Sequence, residues 1–418
     1  MIIPSIDIMD GRAVQLIGGR EKAFDGGDPL AVAERFAVAG ELAVIDLDAA
    51  LGRGDNSSIV AELVRRYPCR VGGGIRSVEA ALAWLDRGAR RVILGTAATP
   101  ELLARLPRER VMAALDGVDG ELVVDGWRRR TGVDVLTRMA ELAPHAGGFL
   151  VTFVEREGRL GGIDLEAVRR VVEAADGVPV TVAGGVTTAV EVAAIDRLGA
   201  DAQVGMALYT GRLHLADAVA APLTSERVDG LWPTVVCDER GVALGLAWSS
   251  AASLRAAVER RAGVYHSRSR GLWVKGESSG NRQELLRVDL DCDRDALRFT
   301  VRQRGAGFCH LGTWTCWGDD EGLGALERRL EELAAAPPEG SFTARLLGDP
   351  ELLAAKLAEE AGELAAASSE DEVVWEAADL LYFALVRLVG AGVPLERVEA
   401  ELDRRRREVR RRDGSRRR

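Results

Sequence analysis

Half of the opening region of this chain is written twice. VGGGIRSVEAALAWLDRGARRVILGTA at 71–97 lies over VAGGVTTAVEVAAIDRLGADAQVGMA at 182–207, setting Gly74 over Gly185 and Gly95 over Gly205 at offsets of 111 and 110. IPSID at 3–7 likewise lies over MAALD at 112–116 and pairs Asp7 with Asp116. Apolar runs of strand length alternate with helical segments through both copies, a pattern that predicts a parallel sheet with helices outside it. Eight strand candidates end near Asp7, Asp46, Gly73, Thr96, Asp116, Thr152, Gly184 and Gly205. Eight such units in about 220 residues predict a closed (β/α)8 TIM barrel.

In such a barrel the active site lies at the carboxyl ends of the strands, where these glycines and carboxylates fall. Backbone N–H groups approach a phosphate closely only where no side chain intervenes, and a following helix N-terminus adds positive potential. Gly73, Gly74 and Arg76 with Gly95 and Thr96 form one expected cradle; Gly184 and Gly185 with Gly205 and Met206 form the other. Strands three and four stand opposite strands seven and eight, so the expected ligand carries a phosphate at each end. Asp7 and Asp116, on strands one and five, face each other and suit general acid and base work on its middle.

IPSIDIMDGRAVQLIGG, DLDAALGRGDN, GGGIRS, ILGTAA, ALDG with VVDGW, and VGMALYTGR resemble the ProFAR isomerase barrel of histidine biosynthesis over residues 1–223. The resemblance implies an Amadori rearrangement of an aminoaldose to an aminoketose in a ligand with two phosphoribosyl ends. It implies Asp7 as base, Asp116 as acid, roles that could be reversed, with Thr152 a supporting contact and Gly19 beside the substrate. Where the family reads Asp-Gly-Thr after the sixth strand, this chain has Glu157, Gly158 and Arg159.

At 418 residues the chain exceeds one barrel by enough for further domains. No apolar stretch approaches the roughly 20 residues that span a bilayer, and MIIPSID reads as a strand rather than a signal region, so a cytoplasmic enzyme without a membrane partner is expected. Five cysteines, three of them between 292 and 316, fit a reduced compartment and a metal better than disulfides. The net charge is −10, although the last fifteen residues hold ten arginines. A charge run without interleaved aromatics reads as a solvated end, so residues 409–418 form a basic tail and no specific nucleic-acid partner is expected. Arg404 to Arg407 are expected to finish a helix and favour its negative end.

A polar stretch from Thr224 to Gly230 opens a second module, a small α+β domain over 231–318. WPTVVCDERGVALGLAWSS reads as a hairpin around Gly241. Asp291, Asp293 and Asp295 alternate as if along an extended strand, which would set three carboxylates on one face, ready for Mg2+. Cys292 would point the other way and join Cys309 and Cys316 around Zn2+, with a fourth position left for water and His310 near it for proton transfer. SRSRGLWVKGESSG, DCDRD and the CH and TCW cysteines resemble phosphoribosyl-AMP cyclohydrolase. The resemblance implies opening of the purine ring by zinc-bound hydroxide, Arg268, Arg270, Lys275 and Glu277 as phosphate and ribose contacts, and a zinc site shared between two subunits.

The third module, 321–408, is helical throughout. Spacings of three and four place Glu359, Glu360 and Glu363 in KLAEEAGEL, and Glu376 and Asp379 in WEAADLLY, on acidic faces that form a Mg2+ nest if the two helices oppose. With GSFTARL at 340–346 the segment resembles phosphoribosyl-ATP pyrophosphohydrolase, which implies Ser341, Thr343, Arg345 and Lys356 as phosphate contacts; Phe383 stands where that family has histidine. The chain uses 52 arginines and three lysines, and two of the three, Lys275 and Lys356, fall in these expected sites.

Together the modules imply three successive steps on phosphoribosyl nucleotides: pyrophosphate removal, ring opening and isomerisation, in a homo-oligomer that is at least a dimer through its two later domains. Two other readings stay open. One module could be inactive and kept for oligomerisation or regulation, or the barrel could also isomerise phosphoribosylanthranilate.

Overall fold

The computed structural model describes residues 1–19, 21–124, 126–318 and 320–409. They form two compact units, Met1–Gly305 with the chain from Arg404 on, and Ala306–Asp403.

The first unit opens with eight parallel strands: β1 Ile2–Met9, β2 Leu42–Asp46, β3 Cys69–Gly72, β4 Arg91–Leu94, β5 Val111–Val118, β6 Phe149–Phe153, β7 Val180–Ala183 and β8 Ala200–Val204. Each pairs with the next, and β8 pairs with β1, so the sheet closes into a barrel. Near-continuous apolar strands such as VMAALDGV and FLVTF are what burial on both faces demands. The outer helices start on side-chain caps, among them Ser77, Asp134, Asp164 and Thr188.

The duplication extends further than the glycines. After β1 the chain reverses at Asp10 and Gly11 into antiparallel strands Arg12–Ile17 and Glu21–Gly27; after β5 it reverses at Asp119 and Gly120 into Glu121–Val124 and Arg129–Asp134. Both turns have positive φ at both central residues (51° and 73°, 52° and 83°), the geometry that selects Asp-Gly in two-residue hairpins. Inside the barrel, positions related by the repeat meet. The guanidinium of Arg70 on β3 donates to Thr181 Oγ1 on β7 at 2.7 Å and to Glu41 at 2.7 Å; Arg70 and Thr181 are 111 residues apart, the offset of Gly74 and Gly185. One large and one small residue thus fill the space that two equivalent positions share.

Residues 231–305 add a four-stranded sheet in the spatial order Ala243–Ser249, Trp232–Cys237, Leu297–Gln303, Gln283–Leu290. The first pair is the hairpin around Gly241, whose φ is 86°. A two-stranded ribbon, Val264–Ser267 with Gly271–Val274, carries the SRSR motif. Buried Tyr265 ties ribbon to sheet through a 2.6 Å hydrogen bond to Gln283. Asp291, Asp293 and Asp295 are not on a strand: Gln283–Leu290 ends before them, and they occupy the turn that leads into Leu297–Gln303. The alternation of Asp-Cys-Asp-Arg-Asp imitates a strand, but Arg294 is left-handed (φ 66°) and breaks it.

The second unit carries helices Gly322–Ala335, Phe342–Gly348, Pro350–Ala366, Glu370–Gly390 and most of Leu395–Arg406 around Leu330, Leu346, Leu353, Phe383 and Val386. Phe383 is a core residue, edge-on to Phe342 and Tyr382. Arg404 does not serve its own helix alone. Its guanidinium reaches the Asp86 carbonyl at 2.8 Å, near the C-terminus of helix Val78–Arg87 on the barrel. Residues 410–418, most of the expected basic tail, lie outside the described residues. Among the described residues, no single helix is long and apolar enough to cross a membrane.

Arg70 is 2 % exposed, so Arg70→Ala strips Glu41 and Thr181 of a buried partner. The expected cost is about 3–5 kcal/mol, read as a fall of about 10 °C in the melting transition of the first unit. Arg70→Met, which keeps the volume, should lose less.

Candidate active sites

The carboxyl ends of the barrel strands enclose a cavity of about 340 Å3. Asp7, Asp116, Thr152, Gly19 and both sets of glycines line it, as do Arg76, Thr96 and Met206. The cradles have the backbone that only glycine supplies without strain: φ is 95° and 69° at Gly73 and Gly74, and 93° and 92° at Gly184 and Gly185. A Cβ on Gly73 would stand 2.1 Å from the Asp46 carbonyl oxygen, and one on Gly184 2.4 Å from that of Phe153. Gly95 differs, since a Cβ there meets nothing within 4 Å. Arg76 lines the cavity but spends its guanidinium on the carbonyls of Ala49 (3.3 Å) and Ala50 (2.8 Å), which holds the short helix Leu47–Leu51 after β2.

Three carboxyls share this mouth. Burial raises Asp7 to about 6, with a 2.9 Å hydrogen bond from Ser5 limiting the rise. Burial also raises Asp116, against side-chain hydrogen bonds from Trp127 and Thr152. Glu157 rises furthest, to about 8, through burial and then the charges of Asp7 and Asp116. Sequence reasoning saw Glu157 only as a departure from a motif and Trp127 only as part of a matching run. Trp127 is in fact held over the mouth, left-handed at φ 64°, with its ring so close to Gly19 that a Cβ there would stand 2.4 Å from it. The hairpin extensions of the two half-barrels meet at this point.

In the small domain Arg268, Arg270 and Glu277 are exposed, and Lys275 is buried. Arg270 and Lys275 both lie near the Trp273 ring, at 5.5 and 5.9 Å from its centroid. Carboxylate oxygens of Asp291, Asp293 and Asp295 come within 4.8 Å of one another despite the missing strand. The turn itself gathers them: Asp291 accepts the N–H groups of Asp295 and Ala296 at 3.0 and 3.1 Å. Asp295 is raised by its hydrogen bond to Asp291 and the charge of Asp293. Exposed Cys292 lies in this first unit, whereas Cys309 and Cys316 belong to the second. There a tight loop pairs Phe308 and Cys309 with Trp314 and Thr313, buries Cys309 and leaves Cys316 exposed. The Cys309 sulfur accepts the Leu311 N–H at 3.5 Å and lies 4.0 Å from Nδ1 of exposed His310. Among the described residues no disulfide joins any cysteine.

On the facing helices Pro350–Ala366 and Glu370–Gly390, oxygens of Glu360, Glu363 and Glu376 gather within 4.8 Å. Burial, then the charges of Glu363 and Asp379, raises Glu360; burial, then Glu363 and Glu360, raises Glu376. Glu359 turns instead to Lys356 at 2.8 Å. Of the expected phosphate contacts, Ser341 caps helix Phe342–Gly348, Thr343 is buried on the Tyr382 hydroxyl at 2.7 Å, and Arg345 lies 5.1 Å from the Phe342 ring centroid.

Residues 1–214 match the family model described as histidine biosynthesis protein. The chain belongs to that family. Residues 245–318 match the model of phosphoribosyl-AMP cyclohydrolase and 323–406 that of phosphoribosyl-ATP pyrophosphohydrolase. Among similar proteins, the histidine biosynthesis bifunctional protein his7 of Schizosaccharomyces pombe is 50% identical over 203 residues, 49% of this chain and 49% of its own length. The histidine biosynthesis trifunctional protein of Neurospora crassa is 38% identical over 346 residues, 81% of this chain and 37% of its own. A phosphoribosyl imidazole-4-carboxamide isomerase of Haloarcula marismortui is 42% identical over 239 residues, covering 53% of this chain and 95% of its own. The chain therefore spans about half, or less, of the fungal relatives it matches.

The cradle glycines of this histidine-biosynthesis barrel separate into two kinds by substitution. Gly73→Ala and Gly184→Ala should lower the melting temperature, because each forces a left-handed alanine against a carbonyl, at about 1–2 kcal/mol before the clash is counted. Gly95→Ala should melt like the parent yet raise the KM for a bisphosphorylated substrate on the order of tenfold, a loss of about 1.4 kcal/mol in binding.

Proposed function

We propose that this chain carries out three consecutive steps of histidine biosynthesis on phosphoribosyl nucleotides. Residues 321–408 hydrolyse phosphoribosyl-ATP to phosphoribosyl-AMP and pyrophosphate, 231–318 open the purine ring, and 1–223 isomerise the resulting aminoaldose (ProFAR) to the aminoketose. The observation that carries the reading is the single barrel cavity with a glycine cradle on each side and three carboxyls between them, a shape that suits a ligand phosphorylated at both ends.

In the barrel, the order of proton affinities distributes the work. Asp7, ionised above about pH 6, takes the proton from carbon 2. Glu157, which keeps its proton up to about pH 8, donates to the ring oxygen as the sugar opens. Asp116, held by Trp127 and Thr152, is the second carboxyl whose charge keeps that proton on Glu157. This arrangement moves the acid role from Asp116, where the sequence resemblance put it, to Glu157.

The donor sets in the other two modules suit the expected ions. The two carboxylate clusters offer hard oxygens for Mg2+, with Asp291, Asp293 and Asp295 in one and Glu360, Glu363 and Glu376 in the other, Glu359 and Asp379 adding charge nearby. The thiols of Cys292, Cys309 and Cys316 are soft donors for Zn2+. Bound there, such ions supply an acidified water and neutralise phosphate charge. Around them, Arg268, Arg270, Lys275 and Glu277 orient the phosphoribosyl group, His310 exchanges protons near the thiol site, and Ser341, Thr343, Arg345 and Lys356 line the triphosphate end. Exposed Val374 (64 %) and Trp375 (71 %) on helix Glu370–Gly390 support a further reading of the chain as a homo-oligomer. A cytoplasmic location fits this chemistry.

Phosphoribosyl-ATP supplied to the purified chain should yield phosphoribosyl-AMP, then ProFAR, then the aminoketose. Glu363→Gln, Cys309→Ser and Asp7→Asn should each stop the series at one successive stage; a variant that leaves its own stage intact removes that module from the proposal. Isomerase kcat/KM should rise with pH through about 6 as Asp7 ionises and fall through about 8 as Glu157 loses its proton. Glu157→Gln should slow the reaction by about 10²–10⁴-fold and abolish the upper limb.

A further inference from the structure

The turn that gathers Asp291, Asp293 and Asp295 is held from outside the small domain. Arg294, in its middle, adopts φ 66°, a conformation that costs a residue with a Cβ and would suit glycine. Three sets of contacts keep it there. Its Nε and Nη2 donate to the two oxygens of Asp196 at 3.1 and 3.0 Å, and Asp196 lies on barrel helix Ala189–Arg197. Its Nη1 donates to the Asp291 carbonyl at 2.8 Å. Its own carbonyl accepts the Thr224 N–H at 2.8 Å and the Thr224 hydroxyl at 3.3 Å. A planar guanidinium forked onto a carboxylate fixes direction as well as distance, which an ammonium does not.

The carboxylate of Asp291 is held from within the turn, by the N–H groups of Asp295 and Ala296. Asp293 and Asp295 are exposed, and three like charges within 4.8 Å favour any relaxation of the turn that spreads them. A turn fixed at Arg294 cannot relax in that way, because both its neighbours in sequence are ligand candidates and its guanidinium holds the backbone of the third. We propose that Arg294 and Asp196 are a positioning pair, through which the isomerase barrel keeps the acidic turn of the ring-opening domain set for a divalent cation. The inference rests on the reading of that turn as a cation site.

The test uses the full chain, zinc-loaded, with Glu363→Gln and Glu376→Gln to silence the helical cluster, and follows free Mn2+ by electron paramagnetic resonance. In this background Mn2+ should bind, and Asp293→Asn should abolish the binding. Arg294→Ala and Asp196→Asn should each weaken it by about tenfold, in the range expected when a residue that orients a ligand is lost. The two changes together should cost no more than either alone. Arg294→Gly, which relieves the backbone strain, should weaken binding as much as Arg294→Ala, and Arg294→Lys should restore only part of it. Ring opening should need about tenfold more Mg2+ for half-maximal rate while the rate at saturating Mg2+ recovers, and isomerase activity should be unchanged. Absence of Mn2+ binding that depends on Asp293 defeats the reading of the turn. Binding that depends on Asp293 but ignores both Arg294→Ala and Asp196→Asn overturns the pair. A loss with Arg294→Ala alone overturns the barrel's part in it.

Discussion

Closure of eight parallel strands is the constraint on which the rest of the first unit depends. A parallel barrel sends every strand's carboxyl end to one face, so residues far apart in sequence must meet there. Asp7, Asp116 and Glu157 come from the ends of β1, β5 and the loop after β6, yet they share one cavity and one electrostatic field. The same closure brings Arg70 and Thr181, equivalent positions of the two halves, together inside the barrel. Identical halves would set two arginines or two threonines there, a buried charge pair or a void. The unlike pair Arg70 and Thr181 fills that space without either.

Much of this was legible in sequence because glycine spacing records backbone geometry directly. Gly73, Gly74, Gly184 and Gly185 all have positive φ, so a repeat of glycines is a repeat of turns. Side-chain chemistry was less legible. Arg76 and Thr343 carry groups that suit phosphate, but in the folded chain one braces the helix Leu47–Leu51 through two carbonyls and the other is buried against Tyr382. Residue type reports what a group can bind, and only packing reports whether it is already engaged. The acidic turn was misread for a related reason: alternating aspartates imitate period-two strand patterning, while the left-handed Arg294 that breaks it is held by Asp196, 98 residues away. The raised proton affinity of Glu157 was not legible because it comes from burial and two distant carboxylates, none of which its neighbours in sequence encode.

The helical cluster was legible in outline: of the five carboxyls expected there, Glu360, Glu363 and Glu376 converge, while Glu359 and Asp379 lie outside that trio. Helical spacing of three and four identified the acidic faces, but it could not separate Glu359 from Glu360, adjacent in sequence and about 100° apart around the axis. The ion pair with Lys356 takes Glu359 away from the trio that Glu360 and Glu363 form with Glu376. One of the three lysines in an arginine-rich chain thus sits where a single compact charge balances two adjacent glutamates, at 2.8 Å from Glu359 and 3.8 Å from Glu360.

All three modules concentrate negative charge, and they differ in how that charge is compensated. In the barrel the carboxyls are enclosed, Asp7 is hydrogen-bonded to Ser5 and Asp116 to Trp127 and Thr152, and among the described residues none belongs to a trio of oxygens close enough to share an ion. A proton is the smallest counter-charge that such a site accepts, and Glu157, raised by burial and by the charges of Asp7 and Asp116, is the member that favours it most. In the acidic turn and between the two helices, the carboxylate oxygens converge within 4.8 Å, and Asp293, Asp295 and Glu363 stand exposed. A divalent cation of the kind proposed for these clusters would compensate several charges at once, which protons could do only by neutralising the ligands one at a time. The proposed proton transfer in the barrel and the proposed metal-assisted hydrolysis at the two clusters thus answer one repulsion, resolved differently according to how closely the oxygens approach.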